Sequence, residues 1–384
     1  MVSTVSEPNN PFLPGDVIVN ILKRLPVKSL MRFQCVCKDW KNLIKSSSFI
    51  QDHLHHSSHQ NPSLFLRWHN SIRMQFGLLD GDCDKEVLEV ENAPLTNLFF
   101  ARIVGSSNGL LCVEASENDT YPFPLLLWNP VIREVRKVRR RTIIDFELDD
   151  LLGFGFSQVD NDYKIVRIKV PEYQFVANPM EVYSLNSGSW KVIEFDNLEG
   201  VAIRSHRNVT VNGVMFWIGG KQGLDDDYSL ILSFDLSKEV WTVIPMPDLN
   251  YYDKIRLIEY ENRLVVLAGF FGEEKSYLIH LWVVEEDRCS SGERWIWTKI
   301  FTSSPFPPKL DPVTIWRNEI VFCPFYQSDY GVSTPILYTL NLITNEFKRF
   351  PIRSSQNDRI NMKIFSYVES LVSFDNINIE DVAS

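Results

Sequence analysis

The chain has 384 residues, 45% of them apolar and 12% aromatic. It is longer than a single hydrophobic core can fill, and too apolar to remain disordered, so two domains or one closed repeat array is expected. Its formal charge of -10 disfavours nonspecific attachment to nucleic acid or to an anionic membrane.

That charge is unevenly placed. Residues 10 to 54 hold seven Lys/Arg against three Asp/Glu, whereas the rest of the chain is strongly acidic. Met1 to Phe12 lacks a basic region followed by an apolar stretch, and no run approaches 18 uninterrupted apolar residues, so neither a secretory signal nor a membrane span is expected. The six cysteines, Cys35, Cys37, Cys83, Cys112, Cys289 and Cys323, have no paired spacing. They read as reduced thiols of a cytoplasmic or nuclear protein.

From Leu13 to Leu54 the apolar residues recur with a helical period. Val17, Ile18, Ile21, Leu22 and Leu25 form one stripe. Pro14 suits a first turn, Asp16 favours the helix N-terminus, and Pro26 ends the segment because it has no N–H. Ser29 is expected to cap a second helix carrying Leu30, Phe33, Val36 and Cys37, and Trp40, Leu43 and Ile44 continue the pattern. Some 45 residues cannot bury this much apolar surface alone, so part of it is expected either to form a binding face or to pack on the rest of the chain.

The string LPGDVIVNILKRLPVKSLMRFQCVCKDWKNLIKSSSFIQDHL closely resembles the F-box, with its LP start, LPVKSL centre and VCKDW turn. The resemblance implies a three-helix domain over residues 9–54. It also implies a Skp-type adaptor as partner and, through the adaptor, a cullin. The positions matching the motif, and hence the implied adaptor-binding residues, are Leu13, Pro14, Ile18, Ile21, Leu22, Leu25, Pro26, Leu30, Val36, Cys37 and Trp40. Lys23, Lys28 and Lys38 would form a basic rim to that contact.

A polar stretch from His53 to Pro62 follows, and residues 55–62 read as a linker. Its four histidines have no Cys, Asp or Glu at regular ligand spacing beside them, so no metal is expected.

Beyond Pro62 the pattern changes to short strands rich in Val, Ile, Phe, Tyr and Trp, separated by turns such as Asn108-Gly109 and Asn212-Gly213. An aromatic or large apolar residue is followed seven positions later by another. The frames are Trp128 to Val135, Tyr183 to Trp190, Phe234 to Trp241 and Leu340 to Phe347, with a fifth starting at Trp282 and interrupted before Trp295. The starts lie roughly 50 residues apart, with about four strands per period. Four-stranded units in tandem predict an all-β propeller over 63–376, most simply of six blades, followed by a short tail over 377–384. The leftover segments IFSYVE and SLVSF should pair with SLFLRW and RMQFGLLD, so that strands from both ends of the chain close one blade. Seven blades and a β-sandwich are the alternatives.

The blocks GSSNGLLCVE, LLLWNP, GFGFSQVDNDYKIVRI, MEVYSLNSGSWKVIE, ILSFDL and YVESLVSF are similar to the F-box-associated domain of plant F-box proteins, including the kelch-related and S-locus groups. The similarity implies the substrate-recognition subunit of an SCF-type (Skp, cullin, F-box) ubiquitin ligase, which binds an unknown protein target and is not itself an enzyme. An S-locus factor recognising a pistil ribonuclease, a propeller enzyme and a non-ligase scaffold are the competing readings. Gly153-Phe154-Gly155 lacks the third glycine and following helix of a dinucleotide loop, and no Walker, GxSxG or HExxH sequence occurs, so no cofactor is expected. Asp225-Asp226-Asp227 reads as a solvated loop. The cluster Arg136 to Arg141 reads as a charged edge facing nearby carboxylates.

Overall fold

The architecture is that of a computed structural model. It describes residues 13–374, apart from 61–62, 70–73, 80–87, 90–99, 117–122, 140–147, 172–179, 194–197, 199, 222–228, 250–251, 253, 272–276, 288–293, 307–309, 325–335 and 352–362. Asp225 to Asp227, Arg140, Arg141 and the tail expected over 377–384 therefore lie outside the described residues.

The N-terminal module holds α1 (Gly15–Leu22), α2 (Val27–Phe33), α3 (Lys38–Lys45) and α4 (Ser47–Gln60). Four helices thus stand where three were expected. Pro14 and Pro26 precede α1 and α2, where a missing N–H costs nothing, and their carbonyls accept the first intrahelical bonds, from Val17 and Ile18 N–H and from Ser29 and Leu30 N–H. Ser29 consequently lies inside the first turn of α2 and is not its cap. Cys37 caps α3, its Sγ accepting the Trp40 N–H at 3.4 Å.

The rest of the described chain is a ring of six four-stranded antiparallel sheets, so six blades are present and the sandwich alternative fails. Blade 1 contains β1 (Ser63–His69), β2 (Met74–Leu79) and β3 (Leu88–Glu89). Blade 2 contains β4 (Phe100–Ser107), β5 (Leu110–Ser116), β6 (Leu125–Asn129) and β7 (Glu134–Val138). Blade 3 follows with β8 (Leu148–Ser157), β9 (Asp162–Pro171), β10 (Met180–Ser184) and β11 (Ser189–Ile193). Blade 4 has β12 (Val201–Val211), β13 (Val214–Lys221), β14 (Leu230–Asp235) and β15 (Val240–Pro245). Blade 5 has β16 (Lys254–Tyr260), β17 (Arg263–Phe271), β18 (Tyr277–Asp287) and β19 (Arg294–Thr302). Blade 6 has β20 (Leu310–Trp316), β21 (Glu319–Pro324), β22 (Ile336–Asn341) and β23 (Phe347–Pro351). Finally β24 (Lys363–Tyr367) returns to blade 1 and pairs with β1 from Ser63↔Tyr367 to Arg67↔Lys363. This is the two-ended closure that the sequence predicts. SLVSF, by contrast, forms no strand.

Four of the seven-residue frames are cross-strand pairs at the outer hairpins: Trp128↔Val135, Tyr183↔Trp190, Phe234↔Trp241 and Leu340↔Phe347. Each flanks the same four-residue turn. A side chain at its start accepts backbone N–H groups: Asn129 from Val131, Ser184 from Ser187, Asp235 from Ser237 and Lys238, and Asn341 from Ile343 and Thr344. Its fourth residue takes positive φ, namely Arg133, Gly188, Glu239 or Asn345. The fifth frame is corrected. Trp282 pairs with Lys299 and Trp295 with Glu286, because the β18–β19 hairpin is longer and shifts register beside Leu281.

A separate apolar cluster fills each of the six blade junctions. Trp128, for example, meets Phe65 and Phe76 between blades 1 and 2, and Met215 and Trp217 meet Leu151 and Val166 between blades 3 and 4. Gly153 and Gly155 belong to the innermost strand of blade 3. Added Cβ atoms there would press on Met215 and Thr210 of blade 4. The GFG sequence is thus a packing device.

Candidate functional site

The helical module presents two apolar faces, and burial separates them. Leu22 and Leu30, at 1% and 0% exposure, pack with Val27, Ile44, Phe49 and Ile50 in the core of the module. Leu13, Ile21 and Val36, at 55%, 48% and 61%, stand in solvent. The single stripe read from the sequence therefore divides. Leu13, Val17 and Ile21 recur every four residues on the outer side of α1, while Ile18 and Leu22 turn inward.

The other motif positions sort in the same way. Pro14, Pro26 and Cys37 are exposed, and Ile18, Leu25 and Trp40 are half-buried against the core. Phe33 and Trp40 rings pack at 5.4 Å. Leu22 and Leu30 thus lie in the module's own core. Val17, on the outer side of α1, and Met31, on α2, are also exposed and apolar although the motif did not single them out. The signal for Val17 was its four-residue spacing with Leu13 and Ile21. Lys28 and Lys38 are exposed and Lys23 is half-buried.

The opposite side of the module rests on the propeller. The outer hairpins of blades 2, 3, 4 and 6 and the two-residue turns such as Asn108-Gly109 lie at one end of their blades, here termed the turn end. The module sits there. Val131 and Ile132, from the β6–β7 turn, pack against its core together with Leu371 and Val372. The chain beyond β24 is fastened under blade 2. Buried Asn129 donates Nδ2–H to the carbonyls of Ser370 (3.0 Å) and Val372 (2.8 Å), and Glu134 accepts from Ser373 Oγ and Phe374 N, both at 2.9 Å. A Cβ at Gly109 would collide with Ser370. SLVSF is therefore a strap that connects propeller and helices, a role that alternation of residue types could not reveal.

Part of the stretch expected as a connector is helical, since α4 runs to Gln60. His53 is buried in α4, its Nε2 2.9 Å from the Leu25 carbonyl and its ring stacked on Phe49. Burial lowers its pKa, and His56 adds a smaller lowering. Among the described residues, no three His, Cys, Asp or Glu side chains converge to hold a metal. His280 lies among Tyr252, Phe270 and Trp282, with Nδ1 2.6 Å from the Tyr252 hydroxyl, and burial lowers its pKa as well. No helix of the described residues is long and apolar enough to cross a membrane.

The profile of the F-box associated beta propeller domain matches residues 40–374, and that of the F-box domain matches residues 12–52. The chain belongs to the F-box-associated propeller family. A putative F-box protein of Arabidopsis thaliana is 35% identical over 64% of this chain and 64% of its own length, just under two thirds of that relative. A putative F-box/kelch-repeat protein of the same plant is 25% identical over 81% of this chain and 86% of its own. Among solved structures, TolB from Acinetobacter baumannii is 9% identical, with a TM-score of 0.45 over 80% of this chain and 66% of that one. At that distance it carries no argument. The helices described above are the F-box, and the ring on which they rest is the family's propeller.

Proposed function

We propose that this chain is the substrate-recognition subunit of an SCF-type ubiquitin ligase, with the F-box (residues 9–54) binding a Skp-type adaptor and through it a cullin, and the propeller (63–376) holding the protein target. One observation carries this reading: the F-box keeps Leu13, Val17, Ile21, Met31 and Val36 exposed, outside the cluster that forms its core and meets the propeller. Apolar residues so placed suit helix-in-groove recognition, with Lys28 and Lys38 at the rim. The family membership and the F-box relatives support the same role.

The subunit contributes proximity. It brings target lysines to a ubiquitin-loaded enzyme held elsewhere in the complex, which works only if the two ends of the subunit keep a fixed geometry. The packing of Leu371, Val131 and Ile132 into the F-box core suits that requirement. The place of action is the cytoplasm or nucleus.

The test is ubiquitin transfer. The full chain, expressed in plant cells with proteasome inhibition, should bring down adaptor, cullin and ubiquitin-modified partners identified by mass spectrometry. The Ile21→Asp/Val36→Asp double variant should bring down the partners without the modification. Modified partners recovered equally with both would defeat the proposal.

A further inference from the structure

The F-box sits at the turn end, and the inner strands begin at the opposite end of the ring. The innermost strand of blade 4 departs from its ladder there. Ile203 pairs with Gly219 and Asn208 with Trp217, so residues 204–207 all face Ile218 alone. β13 occupies one edge of β12, and the other edge faces the axis of the ring, so the excursion swells toward the central channel. The Ser205 hydroxyl accepts the Arg207 N–H at 3.1 Å and turns the bulge. Arg204 is held by donation from Nη2 to the Lys221 carbonyl at 2.6 Å, while His206 and Arg207 are exposed.

The neighbouring inner strands carry the same sign. β16 begins with Lys254, and Arg256 follows; β24 begins with exposed Lys363. Across the arc of blades 4, 5, 6 and 1, the loop-side halves of these strands present one carboxylate, Asp311, which is ion-paired with Arg256. A chain of net charge -10 thus keeps a basic arc at the mouth of its channel.

We infer that this arc binds a carboxylate-rich, extended segment of the target. The inference rests on the substrate-recognition reading. The basic side chains come from separate strands along the arc and do not converge on one point, which suits several carboxylates spaced along a peptide rather than one compact dianion. Guanidinium groups pair with carboxylates by parallel N–H donation, and that of Arg207 is at an exposed position. Electrostatic complementarity of this kind sets partner choice and the rate of encounter.

The experiment uses the full chain in complex with its adaptor and three fluorescent twelve-residue peptides, Glu-rich, Lys-rich and neutral. Anisotropy should show binding of the Glu-rich peptide alone, weakening as salt is raised from 50 to 300 mM. Arg207→Glu/Lys363→Glu, both at exposed positions, should weaken it at least tenfold with an unchanged melting temperature. Equal binding of all three peptides, or no loss in the folded double variant, would overturn the inference. Ubiquitin transfer separates this inference from the reading beneath it. Acidic-peptide binding without modified partners would defeat substrate recognition and leave the arc standing; transfer undiminished in the double variant would defeat the arc and leave substrate recognition standing.

Discussion

Leu371→Asp should uncouple the F-box from the propeller without unfolding either. The side chain is 6% exposed and lies in the same cluster as Leu22, Phe49 and Ile50. Removing a buried leucine forfeits about 1.5–3 kcal/mol of transfer free energy, and a carboxylate in its place adds a desolvation penalty of several kcal/mol unless it escapes to water. Escape means lifting the strap, which also strains the Asn129 bonds to Ser370 and Val372, worth about 1 kcal/mol each. The loss falls on the same seam that Val131 and Ile132 share with Leu371, so the F-box should part from the propeller. Small-angle scattering should show a larger radius of gyration, and hydrogen exchange should rise around Phe49 to His53. Adaptor binding should persist, because the outer face is untouched, whereas ubiquitin transfer should fall. An unchanged scattering curve with unchanged exchange in α4 would refute the role of the strap.

Three further outcomes follow from particular contacts. Arg167 and Glu181 form a buried ion pair, with Arg167 also 4.9 Å from the Trp190 ring centroid. Arg167→Met should cost about 3–5 kcal/mol by leaving a buried carboxylate uncompensated, and Arg167→Met/Glu181→Met should regain most of it, as read by urea unfolding. Gly109, at φ +80°, packs against Ser370. Gly109→Ala should cost about 1–2 kcal/mol from the backbone alone, and more from the collision, lowering the melting temperature measurably. His53 is held below its ordinary pKa by burial, and its Nδ1 has no partner. The neutral ring is therefore favoured in the fold, so its contribution is complete above pH about 6.5 and declines as pH falls through the folded value. Denaturant titrations at pH 7.5 and 5.5 should show this loss in the wild type and a smaller one in His53→Gln, and equal slopes would contradict it.

The parts of the fold that are local in sequence were legible. The seven-residue frame is the span of one hairpin with a four-residue turn, so Trp128, Tyr183, Phe234 and Leu340 announced their partners. The frame at Trp282 misled because a longer hairpin and a register shift break the spacing. Helix α4 was hidden by the polarity of its histidines, although Phe49, Ile50, His53 and Leu54 recur with helical spacing. The strap was not legible, since Leu371 packs with F-box and β6–β7 turn residues that lie far earlier in the chain, from Leu22 to Ile132. The outer F-box face was half legible. Periodicity marks a helix as apolar, but when both sides are apolar only the packing shows that Leu22 faces in and Ile21 faces out.

Adaptor affinity tests the central claim most directly. Calorimetric titration of the purified chain with a Skp-type adaptor should give a tight complex that Ile21→Asp/Val36→Asp weakens by at least a hundredfold, as expected for two apolar anchors worth about 1.5–3 kcal/mol each, while the melting temperature stays close to that of the wild type. Leu22→Asp should instead lower the melting temperature of the F-box. A folded double variant that binds adaptor as tightly as the wild type would show that the exposed apolar face is not the docking surface.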